Sequence, residues 1–157
     1  MEQIELSLEA AVPSDLLQRL DLGASPAGIT HVSMRKSRGA SAAVSPGGTI
    51  GNLLAQARKE LAEYFAGRRT FFTVPVDLSR VPDFERSALE VAARIPYGEV
   101  RSYKWIAEQL GKPDAARAVG GAMAGNPIPI IVPCHRVVKT DGGLGDTPSG
   151  CCGRKRF

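Results

Sequence analysis

The chain has 157 residues and a net charge of +4, with 43% apolar, 23% charged and 6% aromatic residues. That mixture is apolar enough to build a core, which excludes a disordered chain, and the length suits one domain or two small lobes. No run approaches the roughly 20 apolar residues of a membrane span, and the acidic start MEQIELSLEA is unlike a signal peptide, so neither a membrane nor a secreted protein is expected.

Ile4, Leu6 and Leu8 alternate with Glu5, Ser7 and Glu9, which predicts a half-buried strand; residues 27–35 predict a second. Ten of the twelve residues at 37–48 are Ser, Ala, Gly or Pro, the composition of a loop with little to bury. Ile50, Leu53, Leu54, Ala57, Leu61 and Phe65 then recur at helical spacing, with Gly67 placed to stop the helix. Residues 70–76 are rich in β-formers, but Pro75 cannot donate to a ladder, so an edge strand is expected there. The fold class expected is α/β in the α+β sense: a small N-terminal lobe over 1–77, a linker at 77–82, and a helical lobe over 83–157.

In that second lobe Phe84, Ala88, Val91, Ala92 and Ile95 form one apolar helical face, ended by Pro96. Ser102 is placed to cap a helix carrying Tyr103, Ile106, Ala107 and Leu110, which Gly111 closes. After a short turn, Asp114 is placed to cap a third helix at 115–124, and two helices so closely joined suggest a helix-turn-helix. The third helix is small-sided: Ala115, Ala116, Ala118, Gly120 and Gly121 leave Arg117 as its only charge. Two readings stand side by side. Small side chains let a neighbouring element of the same protein pack closely, or they let the backbone enter a crowded groove with one arginine projecting. Interior glycines cost about 1 kcal/mol each relative to Ala, so the pair calls for a reason. The basic excess lies in this half as well. Residues 91–157 carry ten Lys/Arg against five Asp/Glu, residues 1–90 ten against eleven. Such asymmetry points to an anionic partner.

The stretch PIPIIVPCHRV follows Asn126. Ile128 and Ile130, Ile131 and Val132 predict a short apolar strand that delivers Cys134 and His135 at its end. A thiol is nucleophilic only as thiolate, and a nearby imidazole is a usual means of lowering its pKa. Neighbours on an extended chain point to opposite sides, so His135 is expected to act through a water. The plainer alternative is a buried thiol beside a satisfied histidine. The three cysteines, Cys134, Cys151 and Cys152, are odd in number and all lie near the end, where they cannot staple distant segments. A reducing, intracellular setting is expected, cytoplasmic (with the nucleoid) in a prokaryote or nuclear in a eukaryote.

Residues 95–138, with IPYGEVRSY, AARAVGGAM and GNPIPIIVPCHRVV, closely resemble the O6-alkylguanine–DNA alkyltransferases, and the likeness extends more weakly to RKRF and back through LLAQARKELAEYFAG. The resemblance implies a small α/β lobe joined to a helical lobe with a winged-helix-like helix-turn-helix, acting as a monomer on double-stranded DNA. It implies irreversible transfer of an alkyl group from guanine O6, or thymine O4, to Cys134, in one turnover and with no cofactor or metal. His135 is implied as the water-mediated base, Tyr103 as the proton donor toward guanine N3, and Asn126 as the residue holding the turn before the active-site segment. The carbonyls of Cys134 and Val137, with Met123 and Ser149, are implied to receive the base. Ala115, Ala116, Ala118 and Gly120, with Tyr103, are implied to meet the minor groove, about 6 Å wide, and Arg117 to fill the gap left by the flipped nucleotide.

The sequence departs from the family at its end. Residues 145–152 lack the family's loop tyrosine, and the glutamate that orients the histidine in relatives has no counterpart before Phe157, which implies slower transfer than the family norm; Asp141 and Asp146 are the nearby carboxylates. Cys151 and Cys152 read as small packing residues, as redox partners of Cys134, or as metal ligands, in falling order. The first lobe has no cysteine and only His31, so no zinc site is expected there. Two other classes compete with the enzyme: a non-catalytic lesion-binding protein, against which the retained Cys134 speaks, and a DNA-binding transcription switch, for which no extra domain is seen.

Overall fold

The computed structural model describes residues 14–34 and 47–141. The strand expected at 4–9, most of the loop at 37–48, and Asp146, Ser149, Cys151 and Cys152 lie outside them. The chain divides into two compact units, Met1–Val76 and Asp77–Phe157.

In the first unit a short helix, α1 (Ser14–Arg19), leads into an antiparallel hairpin of β1 (Leu20–Ser25) and β2 (Gly28–Met34), joined by the two residues Pro26 and Ala27. Leu20, Leu22, Ile29 and Val32 are buried. Strict alternation would put Thr30, not Ile29, beside Val32 on that face. A β-bulge opposite Gly23 and Ala24 adds one residue to β2 and turns Ile29 inward. The long helix α2 (Gly48–Phe65) packs Leu54, Ala57 and Leu61 on the hairpin. It ends in a Schellman motif around Gly67 (φ +73°): the Gly67 N–H donates to Tyr64 O and the Arg68 N–H to Glu63 O.

Residues 70–76, expected as an edge strand, are irregular and make one bridge, Ile29 to Val76, beside the bond from Ile29 N–H to Pro75 O. The reason is a residue that periodicity did not flag. Glu60 is buried in α2, and its carboxylate accepts from the Thr73 and Val74 N–H groups at 2.9 and 3.1 Å, from the Thr73 hydroxyl, and from Gln56 Nε2 at 3.0 Å. Those backbone donors are satisfied by a side chain instead of a neighbouring strand. Burial pushes the Glu60 pKa up, but the hydrogen bonds from Thr73, Gln56 and Val74 outweigh it and hold the carboxyl below its ordinary value.

The second unit is helical. α3 (Asp83–Ala93) buries Ala88, Leu89 and Ala92, and its first turn carries Asp83 and Glu85, which suit the positive helix terminus. It stops two residues before Ile95 because a residue preceding proline is disfavoured in the α region. The chain turns at Pro96–Glu99 with Gly98 at φ +81° and the Glu99 N–H on Pro96 O. β3 (Arg101–Ser102) leads into α4 (Tyr103–Gln109), where the Ser102 hydroxyl accepts from the Trp105 N–H at 3.0 Å, as expected. α4 closes in a second Schellman motif, Gly111 N–H to Glu108 O and Lys112 N–H to Ala107 O.

Asp114 does not cap the next helix. Pro113 opens a 3₁₀ turn, Pro113–Ala115, and α5 (Ala116–Ala124) starts only after it, with Ala115 at the cap position and no side-chain cap. α5 packs Val119, Ala122 and Met123 against α3 and α4, completing the helix-turn-helix. Among the described residues no helix is long and apolar enough to cross a membrane, and no group of three metal-ligating side chains occurs.

Candidate active site

The site begins where α5 ends. Asn126 is buried, and both ends of its amide are used: Oδ1 accepts from the Ile128 N–H at 2.9 Å and Nδ2 donates to the Val132 carbonyl at 3.0 Å. The side chain thus replaces the ladder that Pro127, Pro129 and Pro133 deny to this stretch. The expected strand is absent; residues 126–132 form a tight loop with one bridge, Pro129 to Val132, and the Val132 N–H on Ile128 O. Ile130 sits at φ +74°, an unusual conformation for a β-branched residue, held in place by these bonds.

The loop delivers Cys134 into a 3₁₀ turn, Cys134–Arg136, not onto an extended strand. The Cys134 N–H donates to the Val132 carbonyl at 2.8 Å, the same oxygen that receives the Asn126 amide. Asn126 therefore reaches the cysteine through one shared acceptor. With three residues per turn, adjacent side chains of a 3₁₀ segment diverge by about 120°, so Cys134 and His135 point apart here for a different reason than an extended chain would give. Cys134 has no exposed surface, and His135 is half-buried. The Cys134 carbonyl accepts from the Val137 N–H.

After the turn, β4 (Val137–Val138) pairs in parallel with β3, Arg101 beside Val137 and Ser102 beside Val138. In that parallel register Tyr103, the first residue of α4, follows Ser102 at the Val138 end of the pair, while the cysteine turn lies before its Val137 end. The turn also packs against α3. Arg136 anchors it there: Nη1 donates to the Ile95 carbonyl at 2.7 Å, and the guanidinium lies 5.6 Å from the centroid of the Tyr97 ring. No periodicity links residues 41 apart in sequence, and the only signal for Arg136 was its place after Cys134 and His135.

α5 presents two faces. Met123 is wholly buried on the inner one, as is Val137 beyond it in the chain. Arg117, Ala118 and Gly121 are exposed, and Ala115, Ala116 and Gly120 half-exposed. A Cβ added at Gly120 or Gly121 would meet no described atom within 4 Å. Close packing among the described residues therefore does not require a glycine at either position, although the opposite face of the helix, with Val119, Ala122 and Met123, is packed on α3 and α4.

Residues 83–157 match the family model of the DNA-binding domain of 6-O-methylguanine DNA methyltransferase, and residues 15–78 match that family's ribonuclease-like domain. A methylated-DNA–protein-cysteine methyltransferase of Mycolicibacterium paratuberculosis is 52% identical over 90 residues, 57% of this chain and 54% of the relative. The constitutive enzyme of that name from Bacillus subtilis is 47% identical over 91 residues, 58% of this chain and 54% of the relative. In these alignments the chain spans about half the length of the curated relatives it matches. The crystal structure of Mycobacterium tuberculosis OGT in complex with DNA superposes with a TM-score of 0.70 at 38% identity, covering 87% of this chain and 81% of that one. On the strength of both domain matches and that superposition, this chain belongs to the 6-O-methylguanine DNA methyltransferase family.

Proposed function

We propose that the protein repairs alkylated DNA by moving the alkyl group from O6 of guanine (or O4 of thymine) in a duplex onto Cys134. The observation that carries this is the construction of the Cys134 turn: a cysteine followed by histidine, set by a buried asparagine at the end of a small-sided helix whose glycines leave room toward solvent. With no surface of its own, Cys134 cannot meet a stacked base, so the target nucleotide has to leave the duplex and the atoms over the sulfur have to part.

His135, through a water, takes the thiol proton. The thiolate attacks the O-alkyl carbon in line; the S–C bond forms as the C–O bond breaks, and guanine departs as its O6 anion. Tyr103 delivers a proton toward N3 and neutralises that charge. The thioether has no good leaving group, so each molecule acts once and no cofactor enters. The Cys134 and Val137 carbonyls read the base edge, with Met123 and the Ser149 N–H completing its surroundings. Ala115, Ala116, Ala118 and Gly120 face the minor groove, Arg117 occupies the place of the extruded nucleotide, and binding is mostly to phosphate and salt-sensitive. A DNA substrate suits a location with the chromosome, in the cytoplasm at the nucleoid of a prokaryote or in the nucleus of a eukaryote.

The test is intact mass after incubation with a duplex containing O6-methylguanine. A gain of about 14 Da, one CH₂ retained as a thioether, that disappears in Cys134→Ala supports the assignment. Tight binding with no gain replaces it with lesion recognition alone.

A further inference from the structure

From the contacts of Arg136 we infer that its side chain is a positioning residue for Cys134, fixing the cysteine turn to the end of α3 through the Ile95 carbonyl under the cover of the Tyr97 ring; this rests on the function proposed above. The turn's own bonds are short-range: Cys134 N–H to Val132 O, Arg136 N–H to Pro133 O, and Val137 N–H to Cys134 O. They shape the turn without saying where it sits in the unit. Asn126 ties its entrance to the loop from α5. The side chain of Arg136 ties it to the other flank, donating at 2.7 Å to a carbonyl just beyond the C-terminus of α3, where a cation also suits the helix dipole.

Tyr97 then has an explanation. Among the described residues it is one of the few large apolar side chains left exposed, at 56%, yet its ring lies over the guanidinium. Gly98 at φ +81° makes the tight turn that brings the ring back over Arg136. A planar cation that accepts a ring on its face while donating in its plane is a task for arginine, not lysine. In-line attack is sensitive to displacements of the nucleophile of about 1 Å. An anchor two residues from the sulfur therefore acts on the rate of transfer more than on binding of the duplex.

Arg136→Met keeps the stem and removes the guanidinium; Tyr97→Leu removes only the ring. With lesion duplex in excess, the single-turnover rate constant should fall about tenfold in Arg136→Met and about two- to fivefold in Tyr97→Leu. The final fraction of alkylated protein should stay at the wild-type level, and the half-saturating duplex concentration should move less than about twofold. Labelling of Cys134 by iodoacetamide, followed by peptide mass, should become faster in the same order, because a loosened turn exposes the sulfur while misplacing it for transfer. Arg136→Lys should recover part of the rate. Unchanged rate constants, or a lower end-point at an unchanged rate constant, would show a merely structural arginine and overturn the inference. Should Arg136→Met fail to fold, Tyr97→Leu decides alone, since its ring is at the surface. If the wild type transfers nothing, the proposed function has failed, and the labelling rates still decide whether the anchor exists.

Discussion

Replacing Asn126 by Ala should damage the second unit more than any other single polar truncation among its described residues. The change removes two buried hydrogen bonds, from the Ile128 N–H to Oδ1 and from Nδ2 to the Val132 carbonyl. Each is worth about 1 kcal/mol net, and the stranded Ile128 donor adds a desolvation penalty of about 1–3 kcal/mol. The Val132 carbonyl keeps its bond from the Cys134 N–H, so its loss is smaller. The sum is about 3–5 kcal/mol, a large share of the roughly 5–15 kcal/mol that holds a typical domain together. Urea unfolding followed by Trp105 fluorescence reports on the second unit, where the single tryptophan lies. The midpoint should fall with the slope unchanged. Because the same carbonyl holds Cys134, single-turnover alkylation should also slow at temperatures where the variant is fully folded. A loss under about 0.5 kcal/mol, the range of an ordinary surface substitution, together with an unchanged transfer rate, would refute the role given to this amide.

Gly120→Ala and Gly121→Ala should move stability and DNA affinity in opposite directions. Each should stabilise the helix by about 0.5–1 kcal/mol in the urea titration, since a Cβ meets no described atom and Ala is the better helix former, while a fluorescence-anisotropy titration shows weaker binding to lesion duplex; destabilisation by either would mean that the helix is closely packed after all. Arg117→Ala, at an exposed position, should leave the urea midpoint within the error of the wild type and weaken duplex binding; unaltered affinity across a salt series would remove Arg117 from the interface. Glu60→Gln tests the carboxylate that replaces a strand in the first unit. The folded state holds this carboxyl below its ordinary pKa, so its contribution is complete above the unfolded value and is lost as pH falls through the folded one. Wild type should exceed Glu60→Gln in thermal stability at neutral pH, and the gap should close on acidification below the ordinary glutamate range; a gap that persists or widens in acid would contradict that sign.

Much of the architecture is written locally. The spacing of Leu54, Ala57 and Leu61, the Ser102 cap, and Gly67 and Gly111 just past their helices were readable because a helix is specified by neighbours within four residues. Cys134 and His135 stood out for the same reason, as adjacent residues of a chemically suggestive pair. The errors cluster where prolines occur. At 70–76 and 128–132, apolar β-formers read as strands, yet their backbone groups are taken by Glu60 and Asn126, whose claim on them is a matter of packing, not of pattern.

The sequence by itself therefore determined where the longer helices α2 to α5 form, to within a turn, and which adjacent residues, Cys134 and His135, make a chemically suggestive pair. Tertiary structure alone decided that a carboxylate would stand in for a strand, that Cys134 would sit in a 3₁₀ turn without exposed surface, and that Arg136 would be spent on a carbonyl 41 residues away. The division follows from range. Helix periodicity and caps act between near neighbours, whereas the pairing of buried polar groups is settled only when the folded chain removes them from water and each must find a partner.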